Sequence, residues 1–154
     1  MGNICRSPAA EGCLQHLVNQ GGFSTRILVD SAGTIDDHKG HRADARMRST
    51  ARSRGYRLRS RARQITRNDL EEFDLVVAMD GENFEYIKRL HSSPRAEVRM
   101  LSHFLTGNEW PADVPDPYYG GRKGFEAVLD MIEEACPNIL EFLLSPDNRL
   151  KNNA

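Results

Sequence analysis

Short apolar runs alternating with amphipathic helical stripes predict an α/β protein built on an open parallel sheet. Two runs carry the strand reading. Arg26-Ile27-Leu28-Val29-Asp30 and Asp74-Leu75-Val76-Val77-Ala78-Met79 are continuously apolar at their centres, the pattern of strands covered on both faces. Helical stripes precede, separate and follow them, as parallel connections require. A chain of 154 residues is long enough to enclose a proper core as one domain.

The elements follow in order. Ala10, Cys13, Leu14, Leu17 and Val18 keep helical spacing, and Gly21-Gly22 ends that helix. Residues 26–30 read as a short buried strand. Ala43, Met47 and Ala51 line one face of a second helix that closes near Gly55. Residues 74–79 are the second strand, Asn83 to Leu90 a helix, and Glu97 to Leu101 a third, weaker strand. Phe125, Val128, Leu129, Ile132, Cys136, Ile139, Leu140 and Leu143 form a long stripe. Pro137 interrupts it and should kink or restart the helix. The domain is expected over residues 1–146, with a frayed tail over 147–154.

Ligands of open parallel sheets bind beyond the C-terminal strand ends, which directs attention to two loops. Gly2-Asn3-Ile4-Cys5-Arg6-Ser7-Pro8 is a tight loop running into a helix. Gly2 and Asn3 tolerate left-handed backbone. Ser7 suits a cap, and Pro8 a first turn that needs no amide proton. Backbone N–H groups at such a helix start converge on one spot, and Arg6 adds a fork that pairs two oxygens of a phosphate. The result is an anion cradle, although the same seven residues also describe an ordinary capped helix with a surface arginine. The second loop, Asp116-Pro117-Tyr118-Tyr119, follows Pro115, so Asp116 is held extended between two prolines. The tyrosines can stack on an aromatic ring beside a phosphate.

Composition limits the classes. The formal net charge is −1 and 39% of residues are hydrophobic, a globular profile. No apolar run reaches the ~20 residues that cross a membrane, and no signal-peptide pattern appears. Cys5, Cys13 and Cys136 are odd in number and widely spaced, so reduced thiols in a cytoplasmic protein are expected. His38 and His41 are spaced like metal ligands, but no cysteine or carboxylate pattern completes a site. No nucleotide, flavin or pyridoxal signature occurs. Neither metal nor cofactor is expected. Charge is segregated: Arg42 to Arg67 holds ten arginines and one acid, Asp44, whereas Glu109 to Asp147 holds nine acids and two bases. No RNA- or DNA-binding motif accompanies the arginines, so a solvated helix and loop is expected rather than a nucleic-acid site. A weak part in steering phosphorylated substrates fits either reading.

Several stretches, in order and in register, resemble one family, the low-molecular-weight protein tyrosine phosphatases. Gly2 to Pro8 is similar to the end of that family's signature. Asp30-Ser31-Ala32-Gly33-Thr34 resembles its second loop, and Ala62-Arg63-Gln64-Ile65-Thr66 another shared stretch. Ala78-Met79-Asp80 resembles a core strand end, and Asp116 to Tyr119 the acid loop. The similarity runs from Met1 to about Leu144. It implies a sheet of about four parallel strands with helices on both faces, and hydrolysis of phosphotyrosine through a phosphocysteine. Substrates would be tyrosine-phosphorylated proteins or small aryl phosphates. The chain would be a monomer or weak homodimer, without nucleic acid or membrane partners.

By the same resemblance Arg6 and the amides of Gly2, Asn3, Ile4, Cys5 and Ser7 bind phosphate, and Asp116 is the general acid. Asn3 with Ser31 braces the loop, Ser7 bonds the nucleophilic thiolate, and Asp80 orients Arg6. Tyr118 and Tyr119 wall the pocket, and in relatives such tyrosines can themselves be phosphorylated. The chain departs from the family at Asp37, where many relatives have an aromatic, and at Ser60, where some have histidine. It departs more seriously at the nucleophile, which would stand one place ahead of Met1, preceded by the first strand. Cys5 directly adjoins Arg6, leaving no loop between sulfur and guanidinium, and by resemblance is the second cysteine that can pair with the nucleophile. A central strand carries about three or four buried aliphatics at about 1.5–3 kcal/mol each, against a domain stability of about 5–15 kcal/mol. The natural polypeptide is therefore expected to begin earlier than Met1. Two alternatives stand beside this reading. One is an arsenate reductase of related fold, and the other a catalytically inactive phosphate- or phosphotyrosine-binding protein.

Overall fold

The computed structural model describes residues 1–147. The expected tail lies almost wholly outside them. Helix α1 spans Arg6–Gln20, α2 Ala45–Ser53 and α3 the single turn Asp69–Glu72. Strand β1 is Leu75–Ala78, α4 Gly81–Leu90 and β2 Glu97–Met100. A 3-10 turn follows at Leu101–Phe104, and α5 runs Arg122–Leu144. Strands β1 and β2 pair in parallel with Leu75 opposite Glu97 and Ala78 opposite Met100.

The sheet is covered on both faces, as period-two alternation dictates. Leu75 and Val77 pack with the larger core built from α1, α2 and α5, around Cys13, Met47, Phe125, Leu129 and Ile132. Val76 and Ala78 turn to the other side, against Ile87 and Phe84 of α4 and Leu70 of α3. Strand β1 is accordingly apolar throughout, whereas β2 alternates Glu97 and Arg99 with Val98 and Met100.

Residues 26–30 were expected to form a strand and do not. They run outside any helix or strand, Leu28 is 80% exposed, and the amides of residues 28–30 donate no backbone hydrogen bond among the described residues. The physical reason is spacing. This segment and β1 both line one cavity of about 950 Å³, which also takes in the loop of residues 2–7, and strand geometry cannot persist without a neighbour to bond. The cavity is lined by Leu14, Val29, Leu75, Val77, Ile139 and Phe142 among others.

Three smaller differences have local causes. Helix α1 starts at Arg6, so Ser7 stands inside its first turn rather than at the cap position, which is Cys5, and the Ser7 hydroxyl accepts from the Asn3 side chain. Helix α4 starts two residues before Asn83, because Asp80 caps it, its carboxylate accepting from the Asn83 amide at 2.7 Å. Helix α5 runs through Pro137 without restarting. The proline removes one bond to the Glu133 carbonyl, while buried Ala135, Cys136 and Ile139 hold the helix on α1.

Candidate active site

The loop of residues 2–5 is shaped by its neighbours. Asn3 has φ of 60°, a left-handed conformation stabilised by its own side chain. Its amide nitrogen donates to Ser7 Oγ at 2.8 Å and Ser31 Oγ at 2.9 Å, and its Oδ1 accepts from the Arg63 amide at 3.1 Å. Ser31 in turn donates to Glu11, whose carboxyl is raised by burial against the opposing bonds from Ser31 and Ser60. Thr34 donates its amide to the Met1 carbonyl, and Asp44 donates its amide to the Ile4 carbonyl. Gly33 is required here: a Cβ would stand 2.1 Å from the Met1 carbonyl oxygen.

With the carbonyls engaged, the amides are left over. Among the described residues, the backbone N–H groups of Gly2, Asn3, Ile4, Cys5, Arg6 and Ser7 find no acceptor. Helix starts always leave some donors free, but six in succession around one loop make a concave array that favours an anion. Arg6, 5% exposed, stands beside it. Its Nη1 donates to Asp80 Oδ2 at 2.6 Å and to the Val114 carbonyl at 2.8 Å, and its Nη2 lies 4.0 Å from Asp116 Oδ2. Burial raises the Asp80 carboxyl, but the Asn83 amide and Arg6 outweigh it, leaving it below its ordinary value.

The second loop is tied to the end of β1. Val114 donates its amide to the Met79 carbonyl at 2.8 Å, and Gly81 donates its amide to Asp113 Oδ1 at 2.9 Å. Asp116 is exposed at the cavity mouth, its Oδ1 accepting from the Tyr118 amide at 3.0 Å. Tyr118 is half-buried, and Tyr119 meets it edge-on at 4.9 Å while standing 94% exposed at the rim. The cavity lined by residues 2–7 thus also meets Ser31, Asp116, Tyr118 and Tyr119, with Asp80 behind Arg6.

Cys5 turns away from this surface. Its side chain lies in the core, and burial, followed by the Asp44 and Asp116 carboxylates, pushes the thiol up to about 12. Cys13 and Cys136 contact each other, buried between α1 and α5. Among the described residues, no group of three or more His, Cys, Asp or Glu could hold a metal ion. No helix there is long and apolar enough to cross a membrane.

Sequence reasoning missed four contributors. His38 lies against Gly2 and its ring is 6.3 Å from Tyr118. Arg46 donates to the Tyr118 carbonyl at 3.0 Å and stacks over the Tyr118 and Phe125 rings. Glu11 and Asp113 complete the bracing. Asp113 precedes the acid loop by three residues and could have been suspected. The others are joined only by the fold.

Comparison with known proteins agrees with this geometry. The family pattern described as low molecular weight phosphotyrosine protein phosphatase matches residues 1–153. A Streptomyces coelicolor low molecular weight protein-tyrosine-phosphatase is 41% identical over 144 residues, 90% of this chain and 87% of that protein. Phosphatase A of Mycobacterium tuberculosis is 38% identical over 153 residues, 99% of this chain and 91% of that one. Among solved structures, the Entamoeba histolytica protein tyrosine phosphatase superposes with a TM-score of 0.84 at 38% identity, covering 93% of this chain and 92% of that one. A Drosophila arginine phosphatase reaches 0.87 at 32% identity, covering 96% of both. The chain therefore belongs to the low molecular weight phosphotyrosine protein phosphatases, a family of enzymes with an α/β fold.

Proposed function

We propose that this protein hydrolyses phosphotyrosine and related aryl phosphate monoesters through a phosphocysteine intermediate. One observation carries the reading: six successive amides, Gly2 to Ser7, lack acceptors among the described residues and stand beside the buried Arg6 guanidinium. Three equatorial phosphoryl oxygens need this number and placement of donors. Asn3, Ser7 and Ser31 brace the loop, and Asp80 fixes Arg6. Tyr118 and Tyr119 flank the substrate ring.

The chemistry has two steps. A thiolate attacks phosphorus, the S–P bond forms, the P–O(aryl) bond breaks, and protonated Asp116 gives its proton to the leaving phenolate. Water then attacks the phosphocysteine, losing a proton to the Asp116 carboxylate as the S–P bond breaks and phosphate leaves. By the family resemblance, the thiolate is that of a cysteine ahead of the Gly2 to Ser7 loop. Support comes from the burial of Cys5, Cys13 and Cys136. The arsenate-reductase alternative draws no support from Cys13 and Cys136, which are 2% and 0% exposed.

The test is turnover of an aryl phosphate with acid trapping of the phosphoenzyme. The polypeptide purified from its source should turn over and carry phosphate on a cysteine upstream of Met1, and the chain from Met1 should not turn over. Phosphate trapped on Cys5, or turnover unchanged in Arg6→Ala, would overturn the proposal.

A further inference from the structure

The ten arginines between Arg42 and Arg67 divide into two groups. Arg46 pairs with Asp44, Arg54 with three carboxylates of α5, and Arg63 with Asp30 and Asp69. The other seven form no ion pair among the described residues. Three of these, Arg57, Arg59 and Arg61, occupy alternate positions of a segment whose intervening side chains turn inward. Leu58 lies against Gly12 of α1, and Ser60 bonds Glu11. Arg57, Arg59 and Arg61 are each exposed, as the alternation requires. They form a ladder about 13 Å long with one guanidinium at every second residue.

This ladder leads to the cradle. Arg61 bridges Arg42 across an antiparallel contact and donates to the Gly40 carbonyl at 3.0 Å. His41 follows, its ring 6.1 Å from His38, and His38 touches both Gly2 of the cradle and Tyr118 of its wall. The same loop carries the acids Asp36 and Asp37, of which Asp37 lines the cradle's cavity, and Lys39 lies between the histidines.

We propose that Arg57, Arg59, Arg61 and Arg42 are a docking strip for an acidic segment flanking the phosphotyrosine. The inference rests on the phosphotyrosine reading above and names its substrate class. An extended peptide carries side chains of one face at the same period as the ladder, so carboxylates at alternate positions meet successive guanidinium groups. Single-stranded RNA is disfavoured because the strip offers no free aromatic platform: Tyr56, beside it, is half-buried and edge-on to His16. A membrane surface is disfavoured because, among the described residues, the exposed large hydrophobics are Met1, Leu28 and Tyr119, none on the strip.

Fluorescence anisotropy on the full chain tests this with four labelled peptides. Two are phosphotyrosine peptides with Glu or Gln at alternate flanking positions, and two are their unphosphorylated forms. The Glu phosphopeptide should bind about tenfold tighter than the Gln phosphopeptide at low salt, as three exposed pairs allow. That advantage should vanish at about 0.5 M salt and in the triple variant Arg57→Gln, Arg59→Gln, Arg61→Gln. The Gln phosphopeptide should bind the triple variant unchanged, which also reports that the variant is folded. Equal affinity of the two phosphopeptides, or a Glu advantage surviving in the variant, would overturn the strip. So would tighter, arginine-dependent binding of single-stranded RNA or phosphatidylserine vesicles. Failure of the underlying phosphate reading has a different signature: phosphorylation would leave the affinity of the Gln peptide unchanged.

Discussion

Arg6 Nη1 lies 2.6 Å from Asp80 Oδ2, a pair that joins the start of α1 to the start of α4 across 74 residues of sequence. Both side chains are largely withdrawn from water, at 5% and 16% exposure. The pair fixes the guanidinium beside the free amides. One carboxylate therefore caps a helix through its Oδ1 and orients the cradle's cation through its Oδ2.

Removing that carboxylate strands a buried cation. Asp80→Ala should lower unfolding stability in urea by about 3 kcal/mol, with weaker phosphate binding. Asp80→Asn, which keeps the shape and the cap acceptor, should lose less.

The same pair gives a pH dependence. The folded Asp80 carboxyl lies below its ordinary value, so its contribution is fully present above the unfolded pKa of about 3.9. It is lost as pH falls through the lower folded value. Stability measured from about pH 5 downward should fall less steeply in Asp80→Asn than in the parent chain.

Asn3 combines a left-handed backbone with bonds to Ser7, Ser31 and Arg63. Asn3→Ala should cost about 2 kcal/mol, from backbone strain and lost bonds together. Asn3→Gly relieves the strain and should recover about 1 kcal/mol of that loss. Equal stabilities of the two variants would contradict the strain argument.

Arg54 meets Glu126, Asp130 and Glu133 along α5. Arg54→Ala should destabilise by about 1 kcal/mol, an effect that shrinks at high salt because the carboxylates are partly exposed. Thermal unfolding at two ionic strengths checks this.

Local features were legible in the sequence: the helix stripes, the β1 and β2 segments, and the loop from Gly2 to Ser7. The strand reading of residues 26–30 failed because strand formation depends on a hydrogen-bonding neighbour, which periodicity does not report. The left-handed φ of Asn3 was anticipated by residue type, but its partners Ser31 and Arg63 depend on the fold. His38 and Arg46 were visible as residues and invisible as parts of the site, because Tyr118 reaches them from 80 and 72 positions away. The arginine-rich stretch looked uniform in sequence. Only the fold separates the paired arginines from the outward ladder.

The central claim is that the Gly2–Ser7 amides and Arg6 hold a phosphoryl group. Titration of inorganic phosphate or orthovanadate into the protein, followed by amide 1H–15N shifts, tests it most directly. The account predicts saturable shifts concentrated at Gly2 to Ser7, abolished by Arg6→Ala. Shifts confined to Arg57–Arg61, or none at Gly2 to Ser7 at saturation, would contradict it.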